Sequence, residues 1–141
     1  MGGRIIVRGL GLGALAMALT VLVAFAWVFI YSVAIAPGHD GAFYQAYAQR
    51  VAPICAILAG VPILFAAGWL AARGPRRDLA ALLPAAAYII LDLVLVTAGG
   101  LWPSAWSLAL SYLTKLAAAW AGGRMAIRRG LDQKRPLLSS R

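Results

Sequence analysis

Residues 79–101 read LAALLPAAAYIILDLVLVTAGGL and residues 105–126 read AWSLALSYLTKLAAAWAGGRMA, with only Trp-Pro-Ser between them. Each stretch is longer than the roughly 20 mainly apolar residues that carry an α-helix across a bilayer. Each is also too long for a strand or an ordinary soluble-core helix. The first holds one charge, Asp92; the second holds Lys115 midway and Arg124 near its edge. Two stretches of the same kind precede them, at 10–36 and 51–72, separated by a loop at 37–50. The pattern predicts an all-α integral membrane protein, a bundle of four transmembrane helices with short loops. A basic arm, 1–9, and a basic tail, 127–141, flank the transmembrane domain 10–126.

The bulk composition agrees. The chain has 141 residues, 63% of them hydrophobic and only 12% charged, against about 25% charged in soluble domains. Its mean hydropathy is +0.85. The net charge of +9 comes from 13 Lys and Arg against four Asp, with no Glu. These basic residues sit at the edges of apolar runs, where they meet anionic lipid headgroups rather than nucleic acid. Cys55 is the single cysteine and lies within an apolar run, so no disulfide or thiolate metal pair is available. The excess of Arg over Lys and of Ala and Gly fits a GC-rich bacterial genome, and hence a bacterial plasma (inner) membrane.

Charge placement predicts orientation. Eleven of the thirteen basic residues fall in the arm (Arg4, Arg8), the second connection (Arg73, Arg76, Arg77) and the region from Arg124 onward. Only Arg50 lies at the opposite end. The positive-inside rule then places both termini in the cytoplasm. Trp27, Tyr31, Phe43, Tyr44, Tyr47, Trp102 and Trp106 fall near the outer interface on this topology, and Trp69 and Trp120 near the inner one, as aromatic belts require. The first segment is read as an uncleaved anchor, because its apolar run is about twice the 7–15 residues of a signal-peptide core.

Asp92 and Lys115 are the ionisable residues placed deep in the bilayer, where a charge costs about 2.5–3.5 kcal/mol on insertion scales. At 1.5 Å per residue, Asp92 lies about 20 Å from Leu79 and Lys115 about 15 Å from Met125, so their depths differ by only about 5 Å. On a helical projection Ser104, Ser107, Leu108, Ser111, Tyr112, Lys115, Ala118, Ala119 and Gly122 share one face, with Trp106, Leu110, Leu113, Ala117 and Trp120 opposite. Ala81, Ala85, Tyr88, Asp92 and Gly99 share a face of the third helix. The expectation is an intramembrane charge pair, Asp92–Lys115, supported by Tyr88, Ser111 and Tyr112. Such a pair serves to fix packing, to relay protons or bind a charged solute, or to meet charges on another protein.

Other motifs carry less. Gly9/Gly13, Gly68/Ala72 and Ala119/Gly123 have the small-x-x-x-small spacing of closely packed helices, expected here within the chain. Gly11, Gly13 and Ala16 satisfy the dinucleotide fingerprint, but an unbroken apolar run follows and the next acid is Asp40, so no nucleotide site is expected. His39 and Asp40 lie in the turn Pro-Gly-His-Asp-Gly, with Asp40 placed to cap a helix from about Gly41. That helix, 42–49, lies along the outer interface or extends the second span, which Pro53 and Pro62 kink or begin. One His, one Cys and four Asp supply no catalytic triad, metal set or cofactor site, so the chain is not expected to be an enzyme.

In size and layout the chain resembles the small multidrug-resistance transporters, in which a glutamate of the first helix binds cation and proton. Segment 10–36 holds no acid, so no functional residue carries over. The leading expectation is a non-enzymatic accessory or assembly subunit, associated with other membrane proteins or with itself. The alternative is a small oligomeric transporter or flippase using Asp92 and Lys115.

Overall fold

A computed structural model describes residues 2–73, 78–100 and 104–132. Arg76, Arg77, Leu101, Trp102, Lys134, Arg135 and Arg141, named in the sequence reading, lie outside the described residues. Among those described, all regular structure is helical: α1 (Gly3–Ile30), α2 (Gly41–Leu58), α3 (Gly60–Ala72), α4 (Asp78–Gly99) and α5 (Ala105–Asp132). α1 continues into a π-helical turn, Tyr31–Ile35, and α2 and α3 form a single broken rod, giving four helices in all.

Among the described residues three of these helices are long and apolar enough to cross a membrane: Gly3–Ile35, Gly41–Ala72 and Asp78–Gly99. The 28-residue α5 is long enough but less apolar, because Ser107, Ser111, Tyr112, Thr114 and Lys115 interrupt its run. The boundaries also differ from those expected. α1 starts at Gly3, so most of the basic arm 1–9 is helical, and Arg8 Nη2 donates to the Leu70 carbonyl of α3 at 2.8 Å. Segment 42–49 extends the second rod rather than forming a separate helix.

The break in that rod has a local cause. Pro62 has no N–H to bond the Leu58 carbonyl four residues back, and its ring crowds that carbonyl. The rod accordingly breaks at Ala59, between Leu58 and Gly60. At the far end of the molecule Asp40 caps α2 as expected, its Oδ1 accepting from the Phe43 N–H at 2.9 Å. Tyr44 Oη donates to the Ala36 carbonyl at 2.6 Å, pinning the turn to the end of the π-helical segment. Gly38 and Gly100 have φ of +88° and +64°, left-handed backbone that glycine adopts without a Cβ penalty.

Packing is concentrated where small residues meet. α3 packs most extensively on α5, and α1 on α4. A Cβ at Gly68 would strike the Ala119 carbonyl, one at Gly122 the Phe65 carbonyl, and one at Gly123 the Ala81 side chain. A Cβ at Gly13 would come within 2.6 Å of the Pro84 carbonyl oxygen. The small-residue motifs therefore mark contacts inside the chain, as expected. Among the described residues, every buried one belongs to the stretches 9–20, 55–72, 80–88 and 115–126, the half of the bundle nearer the chain termini. Among the described residues of the other half, towards the 36–41 and 100–104 connections, none is buried. There α2 touches α1 and, sparsely, α5, while it makes almost no contact with α4.

The close contacts of α3 on α5 give a direct test. Gly68→Leu and Gly122→Leu each force a side chain into a neighbouring backbone carbonyl and are expected to cost about 3 kcal/mol, the top of the usual range for overpacking. Gly11→Leu, where a Cβ meets open space, should be neutral or stabilising by up to about 1 kcal/mol. Thermal or SDS unfolding in detergent reads all three.

Candidate functional site

The structure keeps most of the face assignments expected from helical spacing, but Ser104 and Gly99, expected on the inner faces, are exposed at the connection end. On α5, Lys115, Ala119 and Gly122 are buried and Ser107, Leu108, Ser111 and Tyr112 half-buried, whereas Trp106, Leu110, Leu113, Ala117 and Trp120 are exposed. On α4, Ala81, Ala85 and Tyr88 are buried and Asp92 half-buried. Tyr88 and Lys115 are among the largest side chains that are essentially inaccessible, at 1% and 0% exposure. Lys115 thus lies inside the bundle and Asp92 partly so.

The direct contact between them is not made. Among the described residues the one ion pair is Arg124–Asp78, at 3.6 Å, and both of its side chains are about half exposed. Lys115 Nζ lies instead 4.4 Å from the centre of the Tyr88 ring and 5.8 Å from that of Tyr112. It has no hydrogen-bond partner among the described residues, and neither does Tyr112 Oη. Behind the lysine, Gly60 leaves room for its stem: a Cβ there would stand 3.1 Å from Lys115 Cε. Both residues line one cavity; their lateral separation depends on how the rods diverge, which no residue count supplies.

What brings Asp92 and Lys115 together is a cavity of about 610 Å³. It lies in the loosely packed half of the bundle and draws its wall from α1, α2, α4 and α5. Met17 and Lys115 come from the buried layer; Gln49, Gly100 and Ser107 lie towards the connections. Ser111, one turn from Lys115, also lines it, whereas Tyr88 and Tyr112 approach the lysine without forming the wall. The α2 wall was not anticipated. Gln49, Ala52, Pro53, Ala56 and Ile57 follow the i, i+3, i+4, i+7, i+8 spacing of one helical face. That signal was in the sequence, but it straddles the boundary drawn at residue 50 between loop and span.

Pro53 contributes chemically as well as sterically. It cannot donate to the Gln49 carbonyl, the acceptor four residues back, so that carbonyl lacks its helical N–H on the cavity side of α2. Away from the cavity, Trp27 Nε1 donates to Tyr47 Oη at 3.1 Å and the Tyr31 and Tyr47 rings stack 3.7 Å apart. This aromatic cluster ties α1 to α2 near the connections. His39 stacks on Phe43 at 4.1 Å between ring centres, a turn contact. Among the described residues no three His, Cys, Asp or Glu side chains gather as metal ligands. No family model, curated protein or solved structure matches the chain.

A buried ammonium without an acceptor is a burden on the fold. Replacing it with an apolar side chain of similar length removes an unsatisfied group at little cost in volume. Lys115→Met is expected to stabilise the protein by about 1–3 kcal/mol, and Asp92→Asn to change it little. Because no ion pair joins them, any coupling between the two should fall at the low end, about 0.5 kcal/mol, of that between interacting residues. Unfolding of both single variants and the double variant in nanodiscs checks this; recovery in the double of a loss seen in each single would show a structural ion pair instead.

Proposed function

We propose that the protein is a four-span membrane protein whose cavity binds a small solute, and that it works as a small transporter. The observation that carries this reading is that Asp92 and Lys115 line one cavity of about 610 Å³ without closing on each other. Ion pairs kept for packing must be in contact, since only close attraction offsets the cost of desolvating both charges. The cavity volume falls within the roughly 300–1,000 Å³ of small-molecule sites. Its walls combine apolar side chains with a few polar groups, the usual composition of such sites.

The reading places α5 in the bilayer with the other three helices. Its polar side chains face the bundle, and its exposed face, with Trp106, Leu110, Leu113 and Trp120, is apolar. The arginines at the terminal end favour a cytoplasmic location for both termini and for the 73–78 connection, in a bacterial plasma membrane with anionic headgroups on that side. The cavity would then face outward while the terminal half is closed, the arrangement of one state of an alternating-access cycle.

The accessory-subunit reading is second. It draws support from the gap between α2 and α4, which could accept a helix of another membrane protein or of a second copy. Cysteine labelling separates the two. In a Cys55→Ala background, Ser111→Cys should react with a membrane-impermeant thiol reagent added to the outer face of cells, and Ala117→Cys, on the opposite side of α5, should not. Failure of Ser111→Cys to label from outside, in protein that is folded and inserted, would exclude an outward-open solute cavity.

A further inference from the structure

The charges of the cavity select a chemical class of ligand; this inference rests on the proposed reading of the cavity as a solute site. At the deep end stands Lys115, fully buried, with three N–H donors and no acceptor among the described residues. The neighbouring Tyr88 and Tyr112 rings offer it the negative faces of their π-systems. This is a weaker substitute for solvation than an anionic oxygen. Leaving such a group unmade costs more than a neutral hydrogen bond returns.

The wall also carries Asp92, half-buried and outside ion-pair distance of any basic side chain among the described residues. A carboxylate only accepts. The two charges therefore present a buried donor set and an acceptor set to one cavity. Apolar side chains, among them Ile57, Leu95 and Val96, line the rest. A purely anionic ligand would bring a second negative charge beside Asp92, and a purely cationic one a second positive charge beside Lys115; like charges in a low-dielectric space are strongly penalised. A ligand carrying both charges satisfies both groups and leaves the net charge of the bundle unchanged.

We propose that the cavity binds a zwitterion, its anionic group held by Lys115, its ammonium held by Asp92, and its apolar remainder against α2 and α4. Two sources share this chemistry. One is a free α-amino acid with an apolar side chain; the other is the headgroup of an ethanolamine phospholipid, reaching in through the gap between α2 and α4.

Protection from labelling tests the proposal on the full chain in detergent, with Ser111→Cys in the Cys55→Ala background. The probes are L-leucine, its N-acetyl derivative (acid only), its amide (amine only), and mixed micelles containing either phosphatidylethanolamine or phosphatidylglycerol. At ten times its Kd a ligand that covers residue 111 slows labelling about tenfold by mass action. The expected result is protection by leucine or by phosphatidylethanolamine, which identifies the source, and none by the acid, the amine or phosphatidylglycerol. Asp92→Asn added to this protein should abolish zwitterion protection and admit the acid-only probe; Lys115→Met should abolish both. Equal protection by the acid-only probe in the protein with Asp92 intact would overturn the zwitterion assignment in favour of a simple anion site. Fast labelling that no probe slows would overturn it while leaving the open cavity standing. Absence of labelling without any probe would remove both.

Discussion

Helices that are apolar on nearly every side have little to gain from hydrophobic contact with one another when their surroundings are equally apolar, so their association depends on how closely backbones approach. Here that approach is set by glycine and alanine. Gly68 and Gly122 seat against backbone carbonyls across the α3–α5 contact, and Gly9 and Gly13 seat against Leu83, Pro84 and Ala87 across the α1–α4 contact. With these contacts in place, Leu64, Ala85, Ala119 and Tyr88 close into one core. Ala72, Ala81 and Ala126 form a second cluster nearer the termini. The fold is therefore anchored at one end.

The looseness of the other end follows from the same constraint. Beyond Gly60 and Tyr88 the close glycine contacts run out, and branched or aromatic side chains predominate on α1 and α4. The interruption at Ala59 frees α2 from the path that α3 takes against α4 and α5. Diverging rods leave a space, and the space falls at the depth of Asp92 and Lys115. The lysine is held at the junction, with its stem over Gly60 and its ammonium over Tyr88. A tightly packed end and an open end meeting at a buried charge is the geometry on which the proposed solute site depends. An ammonium without an acceptor among the described residues costs the fold stability.

Much of this was legible in the sequence because it depends on periodicity. The α5 faces, with Trp106 and Leu113 outward and Lys115 and Ala119 inward, follow from 100° per residue alone. So does the stripe Ala81, Ala85, Tyr88 and Asp92 on α4. The Asp40 cap was readable because capping is a local hydrogen bond between residues three apart. Less legible were the extent of the second rod, since Pro53 and Pro62 each stop a helix in isolation but only Pro62 coincides with a break, and the α2 wall of the cavity, which lies across that ambiguous boundary.

Residue order by itself determined the all-helical class, the long apolar helices and which side of each helix is polar, because each of these is a property of one helix and its period. Only the tertiary structure decided that the two charges share a cavity rather than a bond. That outcome depends on the angles between rods and the distance at which backbones seat, and these arise from contacts such as Gly68 on Ala119 and Gly13 on Pro84, between residues far apart in the chain.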